Sequence, residues 1–106
     1  PAIRKLSFTG STEVGVQLAA LATRTMKRVS MELGGHAPFL VFGDADLDAA
    51  VREVFASKFR NAGQTCVCAN RIYVHADIHD AFVERFAEAV RGLRTGDPLD
   101  EATQIG

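Results

Sequence analysis

The chain has 106 residues, 47% apolar and 24% charged, with 12 Lys and Arg against 13 Asp and Glu for a net charge of -1. That balance belongs to an ordinary folded domain or a piece of one, and it excludes a disordered chain and a basic nucleic-acid-binding face. No apolar run, that at residues 38–42 included, approaches the ~20 residues that span a bilayer, and 2 cysteines are too few for a disulfide scaffold.

Residues 2–8 read as a short strand, with Ile3, Leu6 and Phe8 apolar and a stop at Thr9-Gly10. Ser11 or Thr12 can cap a helix on which Val14, Leu18, Leu21 and Ala22 recur at helical spacing. Residues 28–33 alternate strictly, Val29, Met31 and Leu33 against Ser30 and Glu32, which is the period of a strand; Gly34-Gly35 ends it. The continuous apolar run 38–42 predicts a strand buried on both faces. Asp44 or Asp46 then caps a helix with Leu47, Ala50, Val51, Val54, Phe55 and Phe59 on one face, ended by Asn61-Ala62-Gly63. Residues 71–75 predict another strand. Asp77 opens a last helix carrying Ile78, Phe82, Phe86, Val90 and Leu93, which Gly96-Asp97-Pro98 breaks. The sum is βα-β-βα-βα, an α/β pattern with mostly parallel strands and one place for a domain boundary, at Gly34-Gly35.

Four stretches can carry chemistry. Thr9 to Gly15 lies at a strand-to-helix turn, where free backbone N–H groups and the positive helix end attract an anion and Ser11 and Thr12 add hydroxyls. It lacks the Lys-Ser/Thr of a P-loop and the spacing of a dinucleotide fingerprint, so on pattern alone a Gly-terminated strand with a Ser/Thr cap is the better reading. Glu32, beside Leu33 and two glycines, suits a general base in a cleft; a solvent-facing strand residue beside Ser30 is the ordinary alternative. Cys66, in a polar loop containing Gly63, suits a nucleophile, whereas Cys68 fits a small hydrophobe starting the next strand. A metal site built from Cys66, Cys68, His36, His75 or His79 lacks the paired ligand spacing of structural zinc, and no metal is expected. Arg60 can clamp a carboxylate bidentately or simply offset a helix C-terminus.

Together FTGSTEVG (8–15), MELGG (31–35), FGDADLDAAV (42–51) and FRNAGQTCVCANR (59–71) resemble the aldehyde dehydrogenase superfamily, in the family's order and across nearly the whole chain. The stretch from Arg60 to Arg71 is most similar to the succinate-semialdehyde branch. The resemblance implies that residues 1–33 close a Rossmann-like NAD- or NADP-binding domain and that residues 34–106 open the catalytic domain. It places Ser11 at the cofactor's pyrophosphate within a turn that includes Gly10 and Gly15, Thr9 near the nicotinamide, Val14 by the adenine, and the Leu33 carbonyl on the carboxamide. It makes Cys66 the nucleophile, Glu32 the general base and Arg60 the partner of the substrate's distal carboxylate.

A small-molecule aldehyde is then the substrate, and nucleic acid and membrane are not partners. The full-length protein is expected to be a cytoplasmic homo-oligomer. The chain, beginning at Pro1 and stopping at Gly106, reads as an internal fragment without activity of its own. Cys66 and Cys68, two residues apart, come within the ~4.4–6.8 Å Cα separation of a disulfide, so an oxidative cap on the nucleophile is also expected. The rival readings are another substrate branch of the same superfamily and a catalytically silent α/β binding module.

Overall fold

β1 spans Lys5–Gly10 and pairs in parallel with β2, Arg28–Leu33, from Lys5↔Arg28 to Gly10↔Leu33. The computed structural model describes residues 2–106, in two compact units that meet in sequence at Gly35/His36. Pairing shifts β1 toward the C-terminus of the run expected from alternation. Its partner begins at Arg28, so Ala2 and Ile3 have no ladder to join, while Thr9 and Gly10 find Glu32 and Leu33 opposite.

Between these strands α1, Thr12–Thr23, starts where Ser11 in extended conformation accepts the Val14 N–H on its hydroxyl at 3.3 Å. The helix leaves through a turn in which Met26 takes φ 52° and the Lys27 N–H reaches the Ala22 carbonyl at 3.1 Å. Gly15 and Ala22 are its buried residues, which lets it lie close to the strands.

The second unit repeats the strand–helix–strand logic. β3, Ala37–Val41, pairs in parallel with β4, Ala69–Val74. The register slips between Ala37 and Pro38, so that Ala37 faces Ala69 and Pro38 faces Arg71. Proline has no N–H to give to a ladder, and a bulge at that point removes the need for one. α2, Leu47–Phe59, is capped by Asp46, whose carboxylate accepts the Ala49 N–H at 3.0 Å. α3, Ala76–Arg91, is capped not by Asp77 but by His75, whose Nδ1 accepts the Asp77 N–H at 3.3 Å. The His75 N–H donates to the Val41 carbonyl at 2.9 Å, so the same residue ends the strand and opens the helix.

Both helices cover one face of this sheet. Val41, Val51, Val54 and Phe82 form the core, with Phe39, Ile72, Val74, Ile78 and Phe86 packed around it. Phe55, Phe59, Phe86 and Phe82 form a chain of ring contacts with centroids 5.1–6.3 Å apart. Arg85 of α3 pairs with Asp48 of α2 across the helix interface.

The apolar run 38–42 is buried on one face only. Leu40 is 58% and Phe42 65% exposed, because no layer among the described residues covers the side that Leu40 shares with Tyr73. Among the described residues no helix is long and apolar enough to cross a membrane.

Candidate active site

In the first unit the parallel register brings chemistry to one end. Thr9 lies opposite Glu32 and Gly10 opposite Leu33, at the carboxyl ends of both strands, and Ser11 starts α1 directly beyond. Ligands of parallel α/β sheets settle outside strand carboxyl ends, where a helix N-terminus offers unpaired donors. The Ser11 hydroxyl uses a lone pair on Val14 and keeps its own proton to give. Glu32 is exposed at this end, on the polar side of β2.

Gly34 keeps the place open. A Cβ on Gly34 would meet nothing nearer than the Thr12 hydroxyl at 3.9 Å, so this backbone stands free for a ligand to approach. Gly15 serves packing: the Leu33 side chain occupies the space of its missing Cβ, with Cγ at 3.2 Å from that position. Gly15→Ala is therefore expected to push Leu33 off the helix. Overpacking costs about 1–3 kcal/mol, and the better helix propensity of Ala returns about 1 kcal/mol. A lowered urea midpoint checks the net loss; an unchanged or raised midpoint contradicts it.

The second unit holds Arg60, Cys66 and Cys68 around one loop. α2 ends at Phe59, and Arg60 leaves helical geometry with ψ 128°. The turn Arg60–Gly63 then contains three consecutive left-handed residues, Asn61, Ala62 and Gly63, with φ of 50°, 55° and 78°. Such geometry is costly for Ala and easily met by Asn and Gly. The Asn61 side chain donates to the Gln64 carbonyl at 3.2 Å, and the Gln64 N–H donates to the Asn61 carbonyl at 3.0 Å. The sequence had marked these residues only as a helix stop. Asn at a helix end, ready for a left-handed φ, was the available signal for a built turn.

Cys66 emerges from this turn exposed, as a free thiol. Cys68 is fully buried, and its thiol donates to the Ser57 and Lys58 carbonyls at 3.2 and 3.0 Å. A Cys66–Cys68 bond requires the Cys68 sulfur to leave both carbonyls. The Cys68 N–H donates to the Thr65 carbonyl at 3.2 Å, and the Lys58 ammonium donates to the Asn70 side chain. Thr65 Oγ1 is buried without a protein partner among the described residues, a polar atom beside Cys66 that composition did not single out. Arg60 is exposed and lines a cavity of ≈ 430 Å³ with Phe39, Glu53, Ala56, Ser57 and Val67. Glu32 belongs to the first unit and Cys66 to the second.

A family model described as the aldehyde dehydrogenase family matches residues 1–106. The succinate-semialdehyde dehydrogenase [NADP(+)] of Escherichia coli (strain K12) is 59% identical over 106 residues, 100% of this chain and 22% of the relative. A glutarate-semialdehyde dehydrogenase of Pseudomonas putida is 59% identical over 104 residues, 98% of this chain and 22% of the relative. In structure, an NAD-dependent aldehyde dehydrogenase from Sinorhizobium meliloti superposes with a TM-score of 0.95 at 46% identity, over 100% of this chain and 21% of that one. The chain thus spans about a fifth of the length of the relatives it matches. With the family model matched from the first residue to the last, and a solved member superposing over the whole chain, the chain belongs to the aldehyde dehydrogenase family.

Proposed function

We propose that this chain is part of an NAD- or NADP-dependent dehydrogenase that oxidises succinate semialdehyde to its carboxylic acid. The observation that carries the reading is the exposed Cys66 thiol in a loop built on three left-handed residues, with Arg60 at the loop's other end. In this reading residues 1–33 finish the cofactor domain and residues 34–106 begin the catalytic one. The assembled protein is a cytoplasmic homo-oligomer.

The donor set of the first unit fits a dinucleotide. A capped helix N-terminus, the Ser11 hydroxyl and the open Gly34 backbone, beyond the ends of two parallel strands, suit a pyrophosphate, in a turn that includes Gly10 and Gly15. Ser11 would hold that pyrophosphate and Thr9 would stand at the nicotinamide. Val14 would pack at the adenine, and the Leu33 carbonyl would accept from the carboxamide. When bound, the nicotinamide supplies the hydride acceptor.

The chain's own residues do the rest. The Cys66 thiolate adds to the aldehyde carbon and forms a thiohemiacetal. Its backbone N–H is one donor to the developing oxyanion. Loss of the hydride leaves a thioester on Cys66. Glu32 takes a proton from water, which attacks the thioester, releases the acid and returns the thiolate. Arg60 pairs with the substrate's distal carboxylate and so orients the aldehyde.

Arg60→Ala tests the substrate assignment. Removing a charge-assisted bidentate contact worth about 1.5–3 kcal/mol should raise KM for succinate semialdehyde by about 10–100-fold and leave butanal unchanged. Equal effects on both aldehydes contradict the clamp. Glutarate semialdehyde is the second reading, favoured by the relative named for it. It presents the same carboxylate on one more methylene, a difference worth about 1–3 kcal/mol in a fitted pocket, so kcat/KM on the two acids decides between them. The 106-residue chain alone is expected to show no turnover.

A further inference from the structure

We propose that the buried thiol of Cys68 is a positioning residue that sets the register between the Arg60 guanidinium and the Cys66 thiol, and so sharpens selectivity for aldehydes carrying a second, anionic end. The proposal rests on the reading of Cys66 as nucleophile and Arg60 as clamp.

The argument starts at the end of α2. The last four carbonyls of a helix lack partners within it, and those of Ser57 and Lys58 are among them here. Both receive the Cys68 thiol, at 3.2 and 3.0 Å. That contact closes the segment from Lys58 to Cys68 into a ring. Arg60 stands two residues inside one end of the ring and Cys66 two residues inside the other. Between them lie the three left-handed residues, a conformation that persists only where the surroundings over-determine it.

Other contacts also hold the ring. The Asn61 amide and the Lys58–Asn70 pair are exposed, where water competes for the same groups. Cys68 is 0% exposed, so its single proton has no solvent alternative. A thiol is a weak donor, yet in a dry site a modest bond still selects one geometry. Without it the two ends of the ring can drift separately. A substrate gripped at its carboxylate and attacked at its carbonyl registers that drift, whereas one gripped only at its carbonyl does not.

The test uses the enzyme encoded by the full reading frame that carries this sequence. Cys68→Ala, Cys68→Val and Cys68→Ser are compared on succinate semialdehyde and butanal. Val fills the space without a donor, and Ser keeps the donor. For Ala and Val, kcat/KM on succinate semialdehyde should fall about ten-fold while that on butanal changes less than about two-fold; Ser should recover to within about three-fold of wild type.

A packing role would lower both aldehydes alike, with Ser no better than Ala, and that result overturns the proposal. So does wild-type selectivity in Ala and Val. Cys66→Ala and Arg60→Ala leave Cys68 intact and test the underlying reading separately. Full turnover in the first, or undiminished acid preference in the second, removes that reading and the proposal with it.

Discussion

Cys66→Ala in the full-length enzyme is expected to abolish aldehyde-dependent reduction of NAD or NADP, by at least about a thousand-fold in kcat. The expected size follows from what the residue does. Without a thiolate there is no thiohemiacetal, and an aldehyde hydrate must be oxidised without a covalent tether. Cys66 is exposed in this chain, so the substitution removes little of the surface the chain itself buries, and the unfolding midpoint should move little. Nicotinamide absorbance with succinate semialdehyde, alongside thermal unfolding, reads both. Turnover at the wild-type rate in the variant would show that the nucleophile lies elsewhere. A collapse in stability would show that Cys66 carries packing that the loop geometry does not suggest.

Glu32→Gln should separate the two halves of the reaction. The amide is nearly isosteric with the carboxylate but cannot take a proton from water. Loss of a general base costs about 10²–10⁴ in the step it serves. Thioester formation does not use Glu32 in the proposed scheme. Rapid mixing should therefore show one equivalent of reduced nicotinamide per active site, followed by a steady state slowed by about that factor. Mass analysis of the stalled enzyme should find the acyl group on Cys66. A lost burst would assign Glu32 to thiol activation rather than deacylation, and an unchanged steady state would leave it an exposed strand residue.

How far the chain could be read before folding differs from place to place. Caps were recognisable at Ser11 or Thr12 and at Asp44 or Asp46, because a short side-chain oxygen ahead of an apolar repeat has few other uses, and the folded chain uses Ser11 and Asp46. The alternation of Val29, Met31 and Leu33 located β2 to the residue. The neighbouring strand was displaced because a strand's limits are those of its partner. Leu6 and Phe8 have the right period, but only the ladder to β2 carries the strand on through Gly10. His75 took the cap from Asp77 because β4 delivers it there with its N–H already given to Val41, a long-range fact absent from local pattern.

The candidate site divides in the same way. Cys66, Arg60, Glu32 and the turn from Thr9 to Gly15 were visible as residue types in chemically suggestive settings, and motif order tied them to one family. The sequence by itself therefore determined the α/β class, the family and the starts of α1 and α2, because these depend on local spacing and on chemistry that survives in the order of residues. The tertiary structure decided that Thr9 faces Glu32, that the run 38–42 is covered on one face, and that the two cysteines, two residues apart, part company. Those outcomes depend on which distant backbone arrives alongside. The Cys68 thiol turns inward because the open carbonyls of Ser57 and Lys58 lie there, and Cys66 is left in solvent because nothing among the described residues reaches over it.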